Sequence, residues 1–153
     1  VDTSIELEFG DGKYRFWLPM AQIVAIEAGE KSIMQIWSDL GDALSLTEGG
    51  DVTFIGGGAA RFKEVGFVIR HALIGGGEGL VDGVSVKVSP IDATRIVETY
   101  VYARPLAESL PVAWMALQAA IFGVRLKKKA EPEPVKRSRS ARGKSSRTAA
   151  SSG

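Results

Sequence analysis

Through most of the span between Pro19 and Phe122, apolar residues recur at intervals of three and four, and glycine clusters cut the pattern into short pieces. A chain punctuated in this way is restricted to several short core-facing helices joined by tight turns. Pro19 opens the first piece, since proline is tolerated where a helix N–H has no partner. Met20, Ile23, Val24 and Ala28 follow at helical spacing, and Gly29 supplies a stop. Ser32 caps a second helix with Ile33, Ile36, Trp37, Leu40 and Leu44 as its inner stripe. A third helix is expected over about 59–74, with Phe62, Val65, Gly66, Ile69 and Leu73 inward and Phe67, Val68 and Ala72 widening that face. Gly75, Gly76 and Gly77 end it. Ser89-Pro90-Ile91-Asp92 has the cap, first-turn proline and acid of a helix start. Ala93, Ile96, Val97, Tyr100 and Val101 then point inward, until Arg104-Pro105 closes the helix. The last helix runs from about Pro105 to Phe122 on a stripe of Leu106, Leu110, Ala113, Trp114, Leu117 and Ile121. Pro111 conflicts with it and predicts a kink or a later start.

The period differs at the N-terminus. Ile5-Glu6-Leu7-Glu8-Phe9 alternates apolar and acidic residues, and Tyr14-Arg15-Phe16-Trp17-Leu18 partly alternates after a Gly10-Asp11-Gly12-Lys13 turn. This is a β-hairpin with Ile5, Leu7 and Phe9 on one face. An isolated hairpin is barely stable in water, so that face must pack on the helices. Val52–Ile55 lies between glycine clusters and reads equally as a short strand or a loop. Val84–Val88 alternates as an edge strand or an extended approach to the next helix. The expected fold is therefore α+β and predominantly α-helical, with the N-terminal hairpin packed on about five helices over residues 1–124.

Charge divides the chain at the same place. The net charge is +1, yet residues 127–153 carry nine Lys and Arg against two Glu, while residues 1–126 carry ten against sixteen acids. After Val135 no large apolar residue remains, so residues 125–153 are expected to be a disordered Lys/Arg/Ser-rich tail. Lys127, Lys128, Lys129, Lys136, Arg137, Arg139 and Arg142 are its candidate contacts to nucleic acid or an acidic protein. The tail has no aromatic residue to stack on bases, which argues against sequence reading.

Composition narrows the chemistry. With no cysteine, thiolate metal sites, disulfides and Cys nucleophiles are excluded, and with one histidine so is a multi-His metal site. The first residues show no secretory leader pattern. The most apolar stretch, Val112–Val124, spans 13 residues, short of the about 20 a membrane helix needs. The expectation is a protein without membrane, cofactor or metal. Neither glycine triplet continues into Gly-Lys-Ser/Thr, and Leu80 replaces the last glycine of a dinucleotide fingerprint, so phosphate binding is rejected. His71 would serve as a base only with a nucleophile and an orienting acid, which the pattern does not supply; packing is the better reading. The acids are scattered and form no defensible catalytic pair.

Several segments together carry a resemblance. They are Ile26-Glu27-Ala28-Gly29 after the hairpin, Val68-Ile69-Arg70-His71-Ala72-Leu73-Ile74-Gly75-Gly76-Gly77, Tyr100-Val101-Tyr102-Ala103-Arg104-Pro105-Leu106, and Ala119-Ala120-Ile121-Phe122-Gly123. In this order they resemble the gene transfer agent family of small phage-tail proteins, described as tail tube-associated or as tail assembly chaperones. The resemblance implies a non-enzymatic role in tail assembly in the cytoplasm of a bacterial host. The implied partners are the tape measure protein and the tail tube protein. Gly75, Gly76, Gly77, Arg104, Pro105 and Leu106 are its most specific positions. A structural tail tube component is the alternative, and a nucleic-acid-binding module acting through the basic tail is another.

Overall fold

The computed structural model describes residues 2–124. Strands β1 (Ser4–Phe9) and β2 (Gly12–Trp17) form the antiparallel N-terminal hairpin. Ile5 opposes Phe16 and Leu7 opposes Tyr14, while Glu6 opposes Arg15 and Glu8 opposes Lys13. Apolar pairs therefore face the core, and opposite charges pair on the outer face. Phe16 is fully buried and packs edge-on against Phe9 at 6.0 Å.

Helices α1 (Met20–Glu27) and α2 (Ile33–Gly41) follow. Pro19 stands one position outside α1, its carbonyl accepting from the Gln22 and Ile23 N–H groups. Ser32 caps α2 by accepting from the Gln35 N–H at 3.1 Å. α2 ends at Gly41, so Leu44 leaves the expected helical stripe and enters β3 (Leu44–Leu46). β3 pairs with β4 (Val52–Phe54), which settles that segment as a strand. α3 (Phe62–Gly76) begins three residues later than expected. It is the central element, packed against β2, α1, α4 and α5.

After α3 comes an element the sequence pattern does not predict: Glu78–Val81 form β5, which pairs with β2 and with β6 (Val84–Lys87). Asp82 and Gly83 make the turn with φ of 52° and 77°, the primed geometry that Asp-Gly favours in hairpins. The N-terminal hairpin thus becomes half of a four-stranded antiparallel sheet of order β1-β2-β5-β6.

α4 (Pro90–Val97) starts with a full capping box between Ser89 and Asp92. It runs into a π-helical turn, Glu98–Tyr102. There Tyr100 packs on Phe9 and over Gly10, and Tyr102 packs on Phe62 and over Gly66. α5 (Leu106–Phe122) contains Pro111 without the later start that proline suggested. The carbonyl it deprives of a partner belongs to Ala107, on the exposed side of the first turns. α5 is largely buried, with Leu110, Ala113 and Leu117 at 0% exposure. Thr3–Val124 form one compact α+β unit. No helix among the described residues is long and apolar enough to cross a membrane. The basic tail lies outside the described residues, and with it Lys127 to Arg142.

Candidate partner-binding surface

α1 and α4 flank α3, each antiparallel to it. Pro19 lies against Gly75, and Gln22 Oε1 sits 2.7 Å from His71 Nδ1. On the other flank the Val88 N–H donates to the Gly77 carbonyl, and Arg70 Nε donates to Thr94 Oγ1 at 2.9 Å. The three helices make one layer whose outer side faces solvent.

That outer side is apolar along α1. Ile26 turns inward and is buried, with Gln22 and Ile23 half-buried beside it. Met20, Ala21, Val24, Ala25 and Ala28 all face solvent, with Met20 70% and Val24 60% exposed. The spacing of Met20, Val24 and Ala28 had placed them on the core side, but only Ile26 is buried there. α1 thus shows solvent a side that is apolar apart from Glu27, whereas a surface helix normally keeps its outer side polar. The layer continues through Phe67 of α3 and Ile91 of α4, both also expected or available for burial and both exposed. Phe62 likewise faces outward rather than into the core, where Tyr102 covers one edge of its ring.

A cavity of about 240 Å³ opens between α1, α2 and α3, with Ile26, Ile36 and Phe67 among its walls. Lys31 and Glu64 also line it. Lys31 Nζ is 2.6 Å from Asp39 Oδ2 and 3.1 Å from Glu64 Oε2, and Gln35 Nε2 donates to Asp39 Oδ1 at 2.9 Å. The Lys31 hydrogen bond holds the Asp39 carboxyl below its ordinary range, and the same bond raises the Lys31 ammonium. This cluster ties α2 and the loop before it to α3. Sequence reading missed it, because Lys31, Asp39 and Glu64 are scattered in the chain and follow no motif. Beside it, exposed Glu30 and Arg61 pair at 2.6 Å.

His71 completes the layer as a packing residue. Phe67 stands edge-on to its ring at 6.2 Å. With the Gln22 amide as placed, His71 Nδ1 carries the proton. Burial and then the neighbouring Arg70 charge hold its pKa below the usual histidine value. Among the described residues, no group of three or more His, Asp and Glu is arranged to hold a metal ion.

The motif positions do not form a single site. Gly75 and Gly76 are helical and allow α3 to touch β2: a Cβ on either would collide with the Trp17 or Arg15 carbonyl oxygen. Gly77 alone has the left-handed geometry of a helix end, at φ 69°. Arg104, Pro105 and Leu106 lie away from that end, at the corner between the π-helical turn and α5. Arg104 is exposed and pairs with Glu108 at 3.1 Å, Pro105 is exposed, and Leu106 is half-buried. Arg104 shares a cavity of about 230 Å³ with Glu8, Gly10 and Tyr100 at the hairpin turn. The surface that sequence reading missed was signalled by α1 itself: of its eight residues Met20–Glu27 only Gln22 and Glu27 are polar, too few to cover its outer side. No protein family, no curated protein and no solved structure matches the chain.

Proposed function

We propose that the chain is a non-enzymatic tail morphogenesis protein of a phage or gene transfer agent, a tail assembly chaperone that binds the tape measure protein. The observation that carries the reading is the exposed apolar side of α1, joined by Phe67. Two large side chains on that side alone, Met20 and Val24, are 70% and 60% exposed and would each gain about 1–2 kcal/mol on full burial. Such a face fits a helix-in-groove partner, and a tape measure protein is a long, apolar, helix-rich chain that needs cover before the tube forms around it. The sequence resemblance to the gene transfer agent family supports the same role. Co-expression of the full chain with its tape measure protein, followed by pulldown, tests it. A soluble complex is expected, and Val24→Glu should abolish it while leaving the fold intact; a tape measure protein that stays insoluble and unbound would sink the reading.

A structural tail tube component is the alternative within the same family, and the four-stranded sheet with its β6 edge favours it. Rings or tubes formed by the purified protein would decide for it. The basic tail supports a separate contact with nucleic acid. Deleting residues 127–153 and measuring DNA binding across salt tests that contact: the binding and its salt dependence should both fall.

A further inference from the structure

The two outer strands of the four-stranded sheet, β1 and β6, have no strand beyond them among the described residues. Their registers fix which backbone groups they offer. The turns at Gly10-Asp11 and Asp82-Gly83 are closed by the pairs Phe9–Gly12 and Val81–Val84. Hydrogen-bonded pairs alternate along an antiparallel ladder from such a closing pair. Phe9 and Leu7 therefore bond to β2, while Glu8 and Glu6 turn N–H and C=O outward. The far side of the same ladder agrees: Arg15, opposite Glu6, turns its carbonyl away from β1 toward Gly76. On β6, Val84 and Val86 bond to β5, in step with Val88, whose N–H reaches the Gly77 carbonyl. Ser85 and Lys87 turn outward. No backbone hydrogen bond outside the helices and ladders involves Glu6, Glu8, Ser85 or Lys87, and all four residues are exposed.

The same registers align a row of charges on the outer face. Glu6 opposes Arg15, Glu78 opposes Lys87, and the Lys13–Leu80 pair brings Arg15 level with Glu78. Glu6, Arg15 and Glu78 line one hollow of about 290 Å³. The row reads acid, base, acid, base, starting with an acid on the β1 edge and ending with a base on the β6 edge. Two β1 edges brought together would set carboxylates against carboxylates, which is destabilising. A β1 edge brought to a β6 edge continues the alternation.

We propose that the chain associates with further copies of itself head to tail, the β6 edge of one copy pairing antiparallel with the β1 edge of the next. One register satisfies backbone and side chains together. It sets Lys87 opposite Glu6 of the next copy and Ser85 opposite its Glu8, and each of these pairs exchanges two ladder hydrogen bonds. On the other face of the sheet it sets Val86 against Leu7 and Val84 against Phe9 of the next copy. Val84 is 61% exposed, and Leu7 and Val86 are half-buried, so the junction covers apolar surface as well. A junction of unlike edges leaves a free edge at each end, so assembly passes the dimer and ends in a closed ring or an open filament. The contact uses no residue of α1. It is independent of the chaperone reading and gives the structural alternative a geometry.

Sedimentation of the purified full chain over rising concentration tests it, with each variant checked for its fold by circular dichroism and thermal melting. The wild type should form species beyond the dimer, and added salt should reduce them. Glu6→Lys and Lys87→Glu should each weaken association about tenfold, because each sets like charges across the junction. Mixed in equal amounts, the two variants present only unlike pairs to each other and should associate as the wild type does. Ser85→Pro should abolish association: it removes an N–H that the β5 ladder does not use, and proline is tolerated at a sheet edge. The chain has no cysteine, so a Glu8→Cys/Ser85→Cys variant adds a covalent readout. Within one copy those positions lie three strand spacings apart, about 14 Å, so a disulfide between them joins copies, and oxidation should give a ladder of oligomers. A wild type that stays monomeric overturns the inference, and so does a mixture no better associated than its components. A dimer that Ser85→Cys alone cross-links and Glu6→Lys leaves intact would pair β6 with itself and overturn it. Association lost on deleting residues 127–153 would belong to the basic tail and overturn it too. Rings that ignore Ser85→Pro and both charge reversals would keep the structural alternative and overturn this contact.

Discussion

Gly75, Gly76 and Gly77 look interchangeable in the sequence, but they do different work. A Cβ on Gly76 would meet the Arg15 carbonyl oxygen, and one on Gly75 the Trp17 carbonyl oxygen. Both oxygens belong to β2, where Arg15 pairs with Glu6 and Trp17 with Ser4 of β1, so neither moves aside without disturbing the sheet. At Gly77 nothing crowds the added atom except Ile74 O at 3.8 Å; the cost there comes from φ 69°. Gly76→Ala is therefore expected to destabilise by about 3 kcal/mol or more, as overpacking against fixed atoms does. Gly77→Ala should lose only about 1 kcal/mol, the usual cost of a left-handed alanine. Urea denaturation of the two variants compares them directly, and equal losses would contradict the close-approach account. A run of glycines signals a helix stop in the sequence. Which of them stops the helix and which admit a neighbour depends on the strand packed against them, and that strand is more than fifty residues away in the chain.

At the scale of elements, what the sequence announced best were features written by local chemistry. The hairpin alternation, the Ser32 cap and the Ser89-Pro90-Asp92 start each need only neighbours within a few residues, and each is present. What it announced poorly were elements that exist because of distant partners. β5 is a strand because β2 offers it an edge; its Glu78-Gly79-Leu80 carries little strand propensity, and Gly79 is required there because Tyr14 lies over it. α1 displays its apolar residues without saying which side the core lies on, so the spacing of Met20 and Val24 points them inward although both face solvent. The candidate surface was visible as composition but not as a direction. The π-helical turn is another case. Tyr100 and Tyr102 point to different partners, the hairpin turn and α3, and a regular helix would not aim residues two apart at both. This coupling has a measurable signature. Gly66→Ala in the native chain should destabilise by about 1–2 kcal/mol, because the new methyl meets the end of the Tyr102 ring. In a Tyr102→Ala background the same change should become stabilising by about 0.5–1 kcal/mol, the ordinary helix preference of alanine over glycine. A double-mutant cycle by chemical denaturation reads the sign change. The same sign in both backgrounds would remove Tyr102 as the reason for Gly66.

For the whole molecule, the titrating groups bound the stable pH range from both sides. Burial holds His71 below its ordinary pKa, so the folded state resists a proton that the unfolded chain accepts near pH 6.5. Stability from this group is present above about pH 6.5 and declines as the pH falls through that value. Asp39, held down by Lys31, and Asp92, held down by the Ser89 backbone and side chain, contribute stability that is present above about pH 4 and lost below it. On the alkaline side, Lys31 is raised by the Asp39 hydrogen bond, so its contribution is present below about pH 10.4 and lost as the pH rises through its folded value. Tyr14 is raised by burial and by its bond to Asp11 at 2.5 Å; the unfolded chain ionises it near pH 10 while the fold resists, which adds to the same loss. The urea midpoint should therefore be level between about pH 7 and 10, fall in two stages on acidification, and fall again in alkali. His71→Gln should erase the first acid stage and leave the second in place, because the glutamine does not titrate while Asp39 and Asp92 are untouched. A midpoint that rises between pH 7 and 5.5 in the wild type would mean that His71 gains a partner for its charged form, and the packing role assigned to it would fail.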